Sequence, residues 1–297
     1  MEPIDSSNLY LFHEGTQTRA YAMLGAHPAH QAGRNGVRFS VWAPHAAGVW
    51  VEGDFNGWRG DGFAMERLPS SGVWSLFVPE VGAGALYKYA IRHSSGEMRI
   101  KADPYAFAAE LRPNTASRVA DLDGFAWQDG SWQEQQRRNP IYERPLNIYE
   151  VHLGSWRRRA DGSYMTYRDL AHELVDYAAD MGYTHLELLP VAEHPLDGSW
   201  GYQQTGYFAV TSRYGSPEEF MYFVNRAHER GIGVIVDWVP GHFCKDDHGL
   251  ARFDGEALFE PENRLQASND EWGTLNFDLG RAEVKSFLIS NAMFRFE

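Results

Sequence analysis

Twelve residues set the strongest limit on what this chain can fold into: Gly231-Ile232-Gly233-Val234-Ile235-Val236-Asp237-Trp238-Val239-Pro240-Gly241-His242. The β-branched run is too short for a helix and is bracketed by Gly and Pro. Such a run reads as a strand buried on both faces, the kind found in parallel sheets. Asp237 stands at its far end, and His242 follows the Pro240-Gly241 turn. In an α/β barrel, polar residues at the C-terminal ends of strands line the active site. Taken alone, the stretch fits equally an Asp capping a loop and a His in a surface turn.

Strand and helix patterns alternate around it. Asn147 to Leu153 predicts a strand, and Thr166 with Asp169 a capping box. Leu170, Leu174, Tyr177, Ala178 and Met181 make a helical stripe ended by Gly182. His185 to Val191 predicts a second buried strand. Ser216-Pro217-Glu218-Glu219 opens another helix, with Phe220, Phe223, Val224 and Ala227 inward and Gly231 at its end. A last helix runs from Arg281 to Glu297, with Val284, Phe287, Leu288 and Ala292 on one side. Such repeats, joined by right-handed crossovers, predict a parallel sheet. No glycine-rich phosphate loop follows these strands, which disfavours a nucleotide-binding Rossmann domain. The expected unit is an incomplete α/β TIM barrel made of the first three βα units.

The front of the chain has a different rhythm. Val37, Phe39 and Val41 alternate with Arg38, Ser40 and Trp42, and Val49 and Val51 lead into Gly53-Asp54-Phe55-Asn56-Gly57-Trp58. Asn-Gly marks a tight turn, and Val73 to Val78 and Leu86 to Ile91 repeat the strand pattern. Short strands at this spacing predict a β-sandwich. Trp42, Trp50, Trp58 and Trp74 are candidates for a sugar-stacking platform, although core packing is the commoner role for each; Trp58, in its turn, is the best placed. From Ala102 to Pro145 prolines break the pattern and Gln133 to Arg138 is polar throughout, as in a connector. The expected organisation is a β-sandwich over 1–115, a connector over 116–145 and barrel over 146–297.

Composition removes several function classes. The net charge is -13 and the only basic block is Arg157-Arg158-Arg159, so phosphate backbones and anionic membranes are disfavoured. Nucleic acid and membrane are excluded as expected partners. Cys244, the single cysteine, cannot form an internal disulfide and fits a reducing compartment. No apolar run reaches membrane-spanning length, and Met1 to Gly15 lacks a basic-then-apolar export signal, so a cytoplasmic location is expected. The aromatic fraction, 14%, serves a core and also suits sugar-ring stacking.

The loop after the second expected strand reads Glu193-His194-Pro195-Leu196-Asp197-Gly198-Ser199-Trp200-Gly201-Tyr202-Gln203-Gln204-Thr205-Gly206-Tyr207. Together with Asp237 to His242 it resembles the α-amylase superfamily, glycoside hydrolase family 13, and its wording is most like the 1,4-α-glucan branching enzymes. Phe12-His13-Glu14-Gly15-Thr16 and Lys101-Ala102-Asp103-Pro104-Tyr105 resemble the N-terminal region of such enzymes. Gly53 to Trp58 is similar to the family 48 carbohydrate-binding module that precedes their barrel. Asn147 to Trp156 is similar to the first barrel strand and loop. The motifs follow one another in the family's order across nearly the whole chain.

This resemblance implies a retaining transfer. One carboxylate attacks the sugar, a second protonates the departing oxygen, and the 6-hydroxyl of another glucan chain takes the place of water. It implies that Tyr202 packs against the glucose ring at the cleavage point, that His242 bonds its hydroxyls, and that Asp237 holds the catalytic groups in position. Trp200 and, in the front module, Trp58 are further candidate glucan contacts. The nucleophile Asp and acid/base Glu match nothing before Glu297, so no catalytic pair is expected here and the chain is expected to be an inactive N-terminal fragment. Asp246 and Asp247 fall outside the family pattern and read as solvated loop residues. Gly241 stands where many amylases place a metal-binding Asn, so neither structural calcium nor any cofactor is expected. The expected partner is an α-1,4-glucan, with a monomeric full-length enzyme. Rival readings are an isoamylase-type debranching enzyme, a maltooligosyl trehalose trehalohydrolase, and a non-catalytic glucan-binding fragment.

Overall fold

The computed structural model describes residues 4–297; Met1 to Pro3, the first of the stretch read for an export signal, lie outside them. Helix α1 (Ser6–Glu14) starts at Asp5, whose side chain accepts from the Asn8 N–H at 2.8 Å. It ends at Gly15 in the left-handed region, as a C-terminal cap requires. Nine strands follow: β1 (Gly25–Gln31), β2 (Arg34–Trp42), β3 (Ala46–Gly53), β4 (Glu66–Arg67), β5 (Val73–Pro79), β6 (Leu86–His93), β7 (Met98–Lys101), β8 (Ala108–Ala109) and β9 (Ser117–Arg118). One sheet has the order β1-β2-β5-β4; the other has β3-β6-β9-β8, with β7 also on β6. Their inner faces meet through Val37, Phe39 and Val41 against Val49, Tyr87 and Tyr89, with the Phe39 and Tyr87 rings edge-on at 4.9 Å.

The connector region holds α2 (Gly130–Arg138), not predicted because its residues are almost all polar; Trp132 alone is buried and stacks on His228 at 5.0 Å. Ser117 and Arg118 lie beyond the expected boundary at residue 115, yet they pair with Tyr87 and Leu86 in the second sheet.

The second half contains β10 (Ile148–Val151), α3 (Leu153–Trp156), α4 (Tyr167–Asp180), β11 (His185–Leu188), β12 (Ala192–Glu193), β13 (Gly206–Val210), α5 (Pro217–Glu229), β14 (Gly233–Val236), β15 (His242–Phe243), α6 (Arg264–Ala267), β16 (Ser268–Asn269), β17 (Thr274–Asn276) and α7 (Ala282–Phe296). β10, β11 and β14 form a parallel sheet in that order, and both expected capping boxes are present at α4 and α5. The first two strands are shorter than expected: Leu153 already belongs to α3, and β11 stops at Leu188. Met181 is exposed, not part of the buried stripe.

Two corrections concern packing. Trp42 and Trp74 are core residues: Trp74 donates its indole N–H to the Ala43 carbonyl at 2.9 Å, and Trp42 meets Phe12 edge-on at 5.5 Å. They form no sugar platform. Helix α7 does not cover the parallel sheet. Val284, Phe287 and Leu288 join the core of the β-sandwich, whereas α4 and α5 share a separate core with β10, β11 and β14. Ser286 and Ser290 bond the backbone carbonyls of Phe12 and Gln17 at 3.0 and 3.1 Å, fixing α7 against the N-terminal segment. Among the described residues no helix is long and apolar enough to cross a membrane.

Candidate functional site

The parallel register aligns Tyr149 with Leu186 and Val234, and Val151 with Leu188 and Val236; this face packs on α4 and α5. Side chains alternate along a strand, so Glu150 and Glu187, directly opposite in register, point to the other face. Asp237 leaves the end of β14 on that side, its N–H held by the Leu188 carbonyl at 3.0 Å. The Tyr202 hydroxyl donates to Asp237 Oδ2 at 2.8 Å. Burial pushes the Tyr202 phenol up to about 12, helped by the hydrogen bond to Asp237, its charge, and the charges of Glu150 and Glu187. The strand-end carboxylate and the loop aromatic therefore form one polar unit at the C-terminal edge of the sheet.

Arg213 pins the loop that delivers Tyr202. Its fully buried guanidinium donates to Asp197 Oδ1 at 2.7 Å and to Glu193 Oε1 at 2.9 Å. Arg112 and the Tyr164 hydroxyl also reach Asp197. Burial opposes ionisation of Asp197, but the hydrogen bond and charge of Arg213, with Tyr164 and Arg112, hold its carboxyl below the usual range. Gly201, at φ 88°, turns the loop back so closely that a Cβ would lie 2.2 Å from the Pro190 carbonyl oxygen. Only glycine fits there, and the turn leaves Trp200 56% exposed and Tyr202 39% exposed. Trp200 stacks on His152, their rings 6.1 Å apart.

His242 is 8% exposed, and burial lowers its pKa, so the ring is neutral near pH 7. Its backbone carbonyl accepts from the Tyr207 hydroxyl at 2.8 Å, and its ring lies 4.9 Å from that of Trp272. Gln203 Nε2 donates to the Trp272 carbonyl at 2.9 Å, linking the Tyr202 loop to the His242 side. Tyr202 and Asp237 are thus in contact; His242 joins them through Trp272 and Gln203. Trp58 is 41% exposed but follows the turn at the end of β3 in the β-sandwich and is not part of this cluster. Asp247 pairs with Arg99 at 3.1 Å and lies apart from the cluster as well.

Sequence reading missed Trp272. The signal was present in a form already used for Trp58: a large aromatic in a polar turn, here Asn269-Asp270-Glu271-Trp272-Gly273. It also missed Arg213, whose role appears only when the chain folds back. A cavity of about 280 Å³ between the β-sandwich and the loop includes Glu110, Arg112 and His248 in its wall but not Tyr202, Asp237 or His242. Among the described residues no group of three or more His, Cys, Asp or Glu is placed to hold a metal.

Residues 23–106 match the model of carbohydrate-binding module 48 (isoamylase N-terminal domain), and residues 169–257 that of the alpha amylase catalytic domain. A 1,4-alpha-glucan branching enzyme GlgB of Halothermothrix orenii is 59% identical over 97% of this chain and 46% of its own length. That of Bacillus subtilis is 52% identical, with the same shares covered. The chain thus spans about half the length of the curated relatives it matches. Among solved structures, a pullulanase of Paenibacillus barengoltzii superposes with a TM-score of 0.69 at 21% identity, over 98% of this chain and 48% of that one. At that identity the likeness speaks for the fold alone.

Proposed function

The chain belongs to the family of 1,4-alpha-glucan branching enzymes, within the α-amylase superfamily, and from that premise we propose that it forms the front module and part of the donor cleft of an α-glucan transferase. The activity is cleavage of an α-1,4-glucan and transfer of the cut chain to a 6-hydroxyl with retention. The observation that carries this reading is the Tyr202–Asp237 hydrogen bond at the end of β14. It presents an aromatic face with a fixed polar tip, as a sugar ring requires. His242, neutral and held beside the same loop, donates to or accepts from sugar hydroxyls. Trp200 lines the approach, and Trp58 gives the module a weak contact of its own.

In this reading the three-stranded parallel sheet is the first part of a (β/α) barrel, and the superposition on the pullulanase supports that fold. Retaining transfer needs a carboxylate pair that forms and opens the glycosyl-enzyme, and in this reading that pair is not among these residues. The domain limits are proposed at 1–115, 116–145 and 146–297, the module's hydrogen bonding running a few residues further. We place the protein in the cytoplasm as a monomer, consistent with one buried, unpaired cysteine. The names of the curated relatives favour branching over the debranching and trehalose-releasing alternatives.

The test is the appearance of α-1,6 linkages when amylose is incubated with the complete enzyme carrying this sequence. Hydrolysis without new branches would refute the branching assignment. Retardation of residues 1–297 in amylose gels, reduced in Trp58→Ala, tests the module contact separately.

A further inference from the structure

Trp272 belongs to the β16–β17 hairpin, and everything around it acts to fix an indole that is nevertheless 55% exposed. β17 is the centre of a small antiparallel sheet between β15 and β16, in which His242 pairs with Asn276. The Trp272 N–H donates to Asn269 Oδ1 at 3.3 Å, and its carbonyl accepts from Gln203 at 2.9 Å. Gly273, at φ 67°, closes the turn. The ring rests 4.9 Å from the His242 imidazole, whose Nδ1 is buried with no hydrogen-bond partner among the described residues. An exposed tryptophan held at its backbone and on one side has nothing to do for the fold that a smaller residue would not do as well.

We propose that Trp272 is a sugar-stacking wall of the cleft, packing on a glucose unit of an α-1,4-glucan next to the unit held by Tyr202, and fixing the His242 ring behind it. The assignment rests on the glucan reading of the Tyr202–Asp237 cluster. Gln203, adjacent in sequence to Tyr202, sets the spacing between the two platforms. Stacking is an apolar contact with the flat face of the sugar, so an aromatic ring of either kind serves and alanine does not.

The experiment is calorimetric titration of residues 1–297 with maltoheptaose, made in a Trp58→Ala background so that the module's exposed indole does not report. Trp272→Ala should weaken binding about tenfold, Trp272→Phe should keep most of the affinity, and the thermal midpoint of both should stay near that of the parent. Equal affinity in Trp272→Ala and its parent would overturn the assignment while leaving the glucan reading intact. Loss of affinity in step with loss of thermal stability in both variants would also overturn it, making Trp272 a packing residue. Absence of binding by the Trp58→Ala parent, with wild type still binding, would overturn the glucan reading of this cleft and the Trp272 assignment with it.

Discussion

The hydroxyl of Tyr202 and the carboxylate of Asp237 are hydrogen-bonded at 2.8 Å, so the loop cannot shift without moving the strand-end acid. In the complete enzyme Tyr202→Ala removes both ring and tether, and kcat/KM should fall by at least tenfold with little change in the thermal midpoint. Tyr202→Phe keeps the ring and loses one exposed hydrogen bond, a net of about 0.5–1.5 kcal/mol at most. It should retain much more activity than the alanine variant. Parallel losses of activity and stability in Tyr202→Ala would show that the ring packs the loop and does no more.

Acid sensitivity should trace to two buried imidazoles. Burial lowers His27 and His194 from 6.5 to about 4, each with one ring nitrogen beside a backbone carbonyl, that of Leu24 at 2.9 Å and of Ala192 at 2.8 Å. A depressed folded pKa means that the stability these groups contribute is complete above about 6.5 and is lost as pH falls toward 4. The double variant His27→Gln/His194→Gln should show a smaller drop in thermal midpoint between pH 7 and pH 4.5. An unchanged drop would assign the acid limb to other groups.

Asp103 acts in the opposite sense. Burial raises its carboxyl from 3.8 to about 6, against the hydrogen bonds from Tyr87 at 2.6 Å, Tyr105 N–H at 2.8 Å and Tyr89 at 3.1 Å. Its contribution is therefore full below 3.8 and is lost as pH rises through 6, with a slope of at most about 1.4 kcal/mol per pH unit. Asp103→Asn keeps an oxygen that accepts from the two phenols and removes the charge. Its stability relative to wild type should improve between pH 5 and pH 7; a constant difference across that range would refute the account.

Lys101 is fully buried in the last residue of β7, yet its ammonium group donates to the Asp247 carbonyl and to the Ala251 carbonyl, the latter at 2.8 Å. It ties the β-sandwich to the loop that follows His242. Lys101→Met preserves much of the volume and leaves the buried Ala251 carbonyl without its donor, which costs about 1–3 kcal/mol for an unsatisfied group. Urea unfolding should show a lower midpoint with an unchanged slope. A variant as stable as wild type would mean that water replaces the ammonium.

Hydrogen exchange should divide the chain where its two cores divide. Val284, Phe287 and Leu288 of α7 share a core with Val37 and Tyr89, not with Leu170 and Leu186. The amides of α7 should exchange with those of β2 and β6, and separately from those of α4. Phe287→Ala should cost about 3–5 kcal/mol, because the ring meets Tyr105, Tyr207, Phe208, Phe259 and Phe277. Deprotection confined to α4, α5 and the parallel sheet in that variant would contradict this division. By the same division the β-sandwich core is completed by residues of the second half of the chain.

The legible parts of the sequence were those where local chemistry and burial agree. Thr166 with Asp169 and Ser216 with Glu219 are capping boxes whatever the fold around them, and the apolar strands β10, β11 and β14 have no other use. Strand β1 was not legible: Gly25-Ala26-His27-Pro28-Ala29-His30-Gln31 lacks β-branched residues, and its Pro28 is tolerated because the strand is an edge. Within the site, Tyr202, Asp237 and His242 announced themselves through family wording. Arg213 and Trp272 did not, because their partners Glu193, Asp197, Gln203 and His242 are distant in sequence. Periodicity located α7 correctly but says nothing about which of two apolar surfaces a helix will choose.

The choice made by α7 has a consequence in time. The Ala20 N–H meets its acceptor, the Ser290 hydroxyl, 270 residues further along the chain. At about 5–20 residues per second, a ribosome needs roughly 15–50 s to supply that partner. Throughout that interval the nascent β-sandwich lacks one wall, and Phe12, fully enclosed in the finished fold, has no partner helix above it. The segment around Phe12 is therefore sealed long after it is made, and nascent chains halted before residue 282 should hold chaperones at that segment.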